Sequence, residues 1–327
     1  MEKILNKMSI LSSSLSEDLE AILKNCHLCP HACFINRNTE STGFCKAGYL
    51  PVLSSVMAHH GEEPPISGDK GSGTIFFAHC NMGCVYCQNY QISQQHQGSP
   101  VSIEDLALKM IWLKNAGCHN INFVSPTIWV PQIIKAAAIA SKKGLDIPMV
   151  YNTGGYDNPE IIEMLKGVID IYMPDIRYSS NNMALKYSKV KKYVENNRAS
   201  LKEMYRQVGN LALNRDGIAQ KGLLVRLLVM PENIGSIKES LDFLKEELST
   251  EVYLSIMAQY HPEYKACNYA GLSRKITLKE YQEVTSYAEK LGFLNGWVQD
   301  HESLSIEEDM FRPDFRRKKV FRYYEEE

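Results

Sequence analysis

The stretch Gly73-Thr-Ile-Phe-Phe-Ala-His-Cys80-Asn-Met-Gly-Cys84-Val-Tyr-Cys87 decides how the chain reads. Its first half is a continuous apolar run, as in a strand buried on both faces. Its second half sets three cysteines on a glycine-bearing loop. Three thiolates at this spacing can grip three corners of a cubane iron–sulfur cluster. A closed protein shell takes a fourth ligand, so with three one iron stays open to a small molecule. Zinc sites take four ligands, usually in two pairs, and no adjacent pair completes this one. Buried core cysteines would not sit on such a loop. Cys80, Cys84 and Cys87 are therefore the expected cluster ligands.

Working outward, short apolar runs alternate with helical patterns. Strands are expected near 74–78, 120–125, 148–152, 168–173, 223–230 and 252–257. Helices are expected near 102–116, 131–143, 159–166, 181–208, 236–248 and 277–291. Six β/α units imply a parallel sheet covered by helices. Polar or backbone-special residues follow every strand: Cys80, then Ser125-Pro-Thr127, Asn152-Thr153-Gly154-Gly155, Asp175 with Arg177, Pro231-Glu-Asn233 and Gln259-Tyr-His261. That common position points to one site at the C-terminal mouth of an α/β partial (β/α)6 TIM-like barrel. A dinucleotide-binding fold would carry GxGxxG after its first strand; cysteines stand there instead. Arg226 places a charge inside Leu223–Val229, which is costly without a partner. It is expected to face the lumen and a carboxylate. His261 reads as a lumen donor or a satisfied surface histidine, with preference for the latter.

The CxxxCxxC spacing, with aromatic Tyr86 before the last cysteine, resembles the signature of the radical S-adenosylmethionine (SAM) superfamily. Further stretches are similar to a family related to pyruvate formate-lyase activating enzymes: His60-Gly-Glu-Glu-Pro-Pro-Ile-Ser-Gly68, Gly71–Phe77, Cys87–Ser93, Val150–Tyr156 and Val168–Asp175. The similarity runs from about Cys26 to about Gln299. It implies a 4Fe-4S cluster whose open iron chelates SAM. It also implies reductive cleavage to a 5′-deoxyadenosyl radical that abstracts hydrogen from a substrate. In activating enzymes that hydrogen leaves a glycine of a partner glycyl-radical enzyme. By the resemblance, Tyr86 contacts adenine, Asn152-Thr153-Gly154 is the strand end that meets SAM, and Arg177 of Asp175-Ile-Arg177 reaches the cofactor carboxylate, where lysine is usual. Arginine keeps the charge but offers a planar fork, so the geometry differs. Where many relatives carry Gly-Gly-Glu, this chain has Phe123-Val-Ser-Pro-Thr127; Ser125 and Thr127 would accept from the methionine ammonium without a charge. The implied partners are SAM, a reducing protein such as a flavodoxin or ferredoxin, and a glycyl-radical enzyme. Two alternatives stand beside this reading. One is a radical SAM enzyme acting on another peptide or small molecule. The other is a non-enzymatic iron–sulfur redox protein, whose cluster would be protected by four ligands.

A second set, Cys26, Cys29, Cys33 and Cys45, lies in a Pro/Gly-rich segment. On count alone it closes a structural zinc site or holds an auxiliary cluster equally well. Zinc is preferred, the auxiliary cluster comes second and unmetallated thiols third. A metal would stabilise a segment otherwise too irregular to fold. The expected organisation is an N-terminal helix over 1–25 and an irregular Cys-rich segment to residue 72. The radical SAM core follows over 73–300, then a charged tail over 301–327 that wraps the barrel or frays.

Composition fits this frame. Among 327 residues, 36 Lys+Arg and 38 Asp+Glu leave a formal net charge of −2, which argues against a global binder of nucleic acid or anionic membrane. The basic run 186–206 reads either as a dock for an acidic partner or, more often, as a solvated helix face. No apolar run approaches the roughly 18 residues of a membrane span, and no leader pattern opens the chain. A cytoplasmic protein is expected, and clustered cysteines in that compartment read as metal ligands before disulfides.

Overall fold

The computed structural model describes residues 10–11, 14–39, 43–298, 312–317 and 319–321. The part of the expected N-terminal helix that carries Ile4, Leu5 and Met8 lies outside the described residues, as does the Glu325–Glu327 end. The first described helix, α1 (Leu15–Ile22), buries Leu15 and Leu19, and Leu23 follows fully buried. Each leucine contributes about 2 kcal/mol of apolar burial.

The elements then run β1 (Val52–His59), α2 (Pro64–Ser67), β2 (Ser72–Phe77), α3 (Tyr90–Ser93), β3 (Ser99–Pro100), α4 (Ile103–Asn115), β4 (Ile121–Val124), α5 (Val130–Lys142), β5 (Met149–Thr153), α6 (Pro159–Met164) and β6 (Ile171–Pro174). They continue with α7 (Asn181–Ser188), α8 (Tyr193–Val208), β7 (Ala212–Leu213), β8 (Ala219–Leu228), α9 (Ile237–Glu247), β9 (Tyr253–Met257), α10 (Leu278–Leu291) and β10 (Gly296–Val298). Strand order is β10-β9-β8-β6-β5-β4-β2-β1-β3. Pairing is parallel from β10 through β2 and antiparallel from β2 to β1 and from β1 to β3. The six expected parallel strands are present, and a short seventh, β10, extends them beyond β9.

Two expectations need correction. The segment 26–72 is not irregular throughout: β1 pairs with β2 from Leu53↔Phe77 to His59↔Ser72, so part of it builds the sheet. Leu53 is buried on β1 while Val52 and Val56 are only half-buried, which blurs the alternation that marks a strand. The helix expected over 181–208 is two helices. Lys189 and Lys192 take left-handed φ of 61° and 51° and break it between Ser188 and Tyr193.

Helices α4 and α5 pack together outside the sheet, and α1 packs on α5. Trp129 anchors this side: it is fully buried, lies 6.3 Å from Phe77 and donates its indole N–H to Ala78 O at 3.0 Å. The tail does wrap the sheet where it is described. Val320 and Phe321 join Phe76, Ile92 and Val124 in one apolar cluster, and Gln91 donates to Asp314 at 3.0 Å. Among the described residues no helix is long and apolar enough to cross a membrane.

Candidate active site at the mouth of the sheet

The loop after β2 begins with His79 at φ 67°, a left-handed turn that lifts the chain off the strand into the three cysteines. No disulfide engages them. Burial first, and then the neighbouring Cys84 thiol, push Cys80 up to about 12 and Cys87 up to about 11. Such thiols ionise only when a cation shares their charge, which the iron of a bound cluster would do.

Every sulfur also has a local partner. The Met82 amide donates to Cys80 Sγ at 3.4 Å, Ser93 Oγ lies 3.2 Å from Cys87 Sγ, and Ser188 Oγ donates to Cys84 Sγ at 3.0 Å. Behind Ser188 a chain of hydroxyls runs from Tyr178 at 2.7 Å to Tyr86 at a further 2.7 Å. Tyr86 is thus buried with its phenol committed to Tyr178, and burial pushes that phenol up to about 12. The donor set fits a cluster of this class: three thiols on one loop, desolvated and furnished with hydrogen-bond donors.

The other expected site residues fall into two groups. Asp175 and Arg226 meet in the lumen, Nε to Oδ1, at 2.8 Å. Arg226 also donates to Asn152 Oδ1 at 2.6 Å and lies 3.4 Å from Glu62 Oε2. Arg177 pairs with the other oxygen of Asp175, and its buried Nε has no hydrogen-bond partner. Its guanidinium is held charged by Asp175 and by nearby Cys84 and Tyr86, which outweigh its burial. So Arg177 sits between the lumen acid and the cysteine loop. Gly154 lies beside it: a Cβ there would stand 2.8 Å from Met82 Sδ and 3.5 Å from Arg177 Nε.

Thr127 and Thr153 belong to the second group. Their hydroxyls donate to Asp157 Oδ1 and Oδ2 at 2.7 and 2.8 Å, and the Tyr151 phenol adds a third bond at 3.0 Å. Asp157 is fully buried, and desolvation raises its pKa despite the three donors. These threonines lock the ends of β4 and β5 to one carboxyl. Ser125 is half-buried at φ 60°, with its amide donating to Asn152 O at 2.9 Å.

The sequence reading gave no role to Glu62, Glu63, Asp157, Tyr178, Ser93 or Ser188. The adjacent carboxylates of His60-Gly-Glu62-Glu63-Pro-Pro were a usable signal. Glu62 accepts from Asn122 at 3.0 Å and from Asn152 at 3.2 Å, and burial raises the pKa of both glutamates against the pull of Arg226. The expectation for Arg226 holds: it faces carboxylates. His261 is one-fifth exposed and lies 3.0 Å from Glu263.

The chain is similar to several known proteins. Two uncharacterised proteins of Methanocaldococcus jannaschii are 34% identical over 82% of this chain and 75% of their own length, and 25% identical over 76% and 74%. Among solved structures, the FeFe-hydrogenase maturase HydG is 12% identical with a TM-score of 0.48, covering 69% of this chain and 51% of its own. Methylornithine synthase is 13% identical with a TM-score of 0.45, covering 64% and 59%. This chain therefore spans only about half of the maturase. The Radical SAM superfamily model matches residues 74–244, from β2 with its cysteine loop into α9, and the chain belongs to that superfamily.

Proposed function

We propose that this chain cleaves SAM reductively at a cluster on Cys80, Cys84 and Cys87, and that the resulting 5′-deoxyadenosyl radical abstracts hydrogen from a substrate. A glycine of a glycyl-radical enzyme is the first candidate, as for activating enzymes. The observation that carries the reading is the placement of Arg177. Its guanidinium lies between Asp175 and the cysteine loop, with one buried N–H unspent. That is where a cation would meet the carboxylate of a methionine moiety. Bound at the three thiols, the cluster supplies the electron and the open iron.

The protein's own groups do the rest. Asp175 fixes the Arg177 fork, and Arg226 fixes Asp175 from below. Asp157 fixes Thr153, so the Asn152-Thr153-Gly154 turn holds its shape beside Met82. The buried hydroxyls of Tyr86, Tyr178 and Ser188 keep the cysteine loop in one geometry. Radical chemistry needs a dry, positioned pocket, not a general base.

The test is anaerobic. The chain is reconstituted with iron and sulfide, reduced with dithionite and given SAM, and 5′-deoxyadenosine is quantified against Cys80→Ala/Cys84→Ala/Cys87→Ala. Product from the wild type alone supports the reading. With a full cluster, no product and no SAM-induced change in its EPR signal would favour the redox-protein alternative. Adding a candidate glycyl-radical enzyme and looking for a glycyl EPR doublet tests the finer claim separately.

A further inference from the structure

Outside the active site, the described residues include a second set of cysteines, Cys26, Cys29, Cys33 and Cys45. Between Cys26 and Leu50, among the described residues, the chain forms neither helix nor strand. Yet it folds back tightly. Cys26 N–H donates to Ile35 O and Phe34 N–H to Cys26 O, both at 2.9 Å, which sets Cys33 beside Cys26. Ala32 N–H closes a turn on Cys29 O at 3.0 Å. Gly43 lies against Cys33, where a Cβ would stand 3.5 Å from its Sγ, and Lys46 N–H returns to Gly43 O at 3.0 Å, bringing Cys45 to the same place. Four thiols thus converge, and none forms a disulfide. Cys26, Cys29 and Cys45 are buried, and Cys33 is half-buried.

This fold-back holds Ala32, Phe34 and Lys46 in left-handed conformation, with φ of 41°, 54° and 55°. Each costs about 1 kcal/mol or more for a residue with a Cβ. Three such residues and three buried thiols in a short segment point to a group that bridges them. Four thiolates close either on zinc or on a cubane cluster; the hydrogen bonds of this set to the loop of Cys80, Cys84 and Cys87, in a family that binds clusters, favour the cluster.

We propose that Cys26, Cys29, Cys33 and Cys45 hold a second iron–sulfur cluster. Its shell of four thiolates is closed, so it has no open iron and does not bind SAM. It is also fastened to the active-site loop. His31 Nε2 lies 2.9 Å from Asn81 O, one residue past Cys80, and His79 Nδ1 lies 2.9 Å from Cys45 O. The proposal stands whether or not the chain cleaves SAM.

The experiment uses the full chain with Cys80→Ala/Cys84→Ala/Cys87→Ala, purified anaerobically. Iron, acid-labile sulfide and zinc are counted per chain, with EPR recorded after dithionite. The expected result is about four irons and four sulfides retained, with an EPR signal that SAM leaves unchanged. Adding Cys33→Ala to this background should remove most of the iron, while circular dichroism checks that the sheet still folds. One zinc per chain overturns the iron assignment, and no metal overturns the site. A SAM-induced change in the signal overturns the closed shell. If the wild type holds no more iron than the triple variant, the active-site reading fails while this one stands.

Discussion

Ser188, on the last turn of α7, donates a hydrogen bond from its hydroxyl to the sulfur of Cys84, 104 residues earlier in the chain. The bond is buried, and Tyr178 and Tyr86 stand behind it in a hydroxyl chain. A donor to cluster sulfur stabilises the extra negative charge of the reduced state. Ser188→Ala is therefore expected to lower the midpoint potential and make the cluster harder to reduce, while Ser188→Thr restores most of it. An EPR-monitored redox titration of the reconstituted protein reads this. A midpoint that stays put or rises in Ser188→Ala would show that the bond does not tune the cluster.

The lumen charges make a second prediction. Arg226 joins Asp175 of the loop after β6, Asn152 of β5 and Glu62 of the turn after β1. Removing one partner of a buried ion network strands the others and typically costs about 3–5 kcal/mol. Arg226→Ala should lose stability on that scale in urea unfolding. Arg226→Lys should lose less, because it keeps the charge but cannot span three partners. A cost under about 1 kcal/mol for the alanine would mean that water already screens the network.

Much of this was legible in the sequence, and what was not has physical causes. The parallel strands announced themselves because strands buried on both faces are unbroken apolar runs. β10 has three residues and β3 two, too few to show a period. The superfamily was readable from the motif of Cys80, Cys84 and Cys87 because its spacing is local. Ser188 and Asp157 were not: a serine near a helix end and an aspartate in a turn have ordinary local explanations, and only the fold brings them to Cys84 and Thr127. Arg226 lay between these cases, since a charge in an apolar strand demands a partner without naming it.

Neighbouring glycines at the end of β5 should respond differently to alanine. At Gly155, φ is 76° and a Cβ would stand 2.1 Å from Asp175 O and 2.4 Å from Asn197 Nδ2. Backbone cannot yield there, so Gly155→Ala should destabilise by several kcal/mol (~2–4) through strain and overpacking. At Gly154 the close atom is Met82 Sδ, the end of a flexible side chain. Gly154→Ala should cost about 1 kcal/mol or less in stability and instead disturb the cysteine loop, weakening SAM binding. Unfolding curves beside SAM titrations separate the two. Equal stability losses would contradict the contrast.

Acid should weaken the sheet edge through His59, the last residue of β1. Its ring stacks on Phe321 at 4.5 Å and meets Phe76 edge-on at 5.8 Å. Burial, with a smaller contribution from His60, lowers its pKa from 6.5 to about 4. The folded state thus favours the neutral ring, while the unfolded chain takes up a proton near 6.5. Between those values the unfolded state binds more protons, so stability is full above about 6.5 and falls as pH drops toward 4. A shift of that size is worth up to about 3 kcal/mol at the acid end. His59→Phe keeps the aromatic contacts and removes the proton site, so its stability should fall less between pH 7 and pH 4.5. Parallel slopes for the two proteins, measured by urea unfolding across that range, would assign the acid sensitivity to other groups.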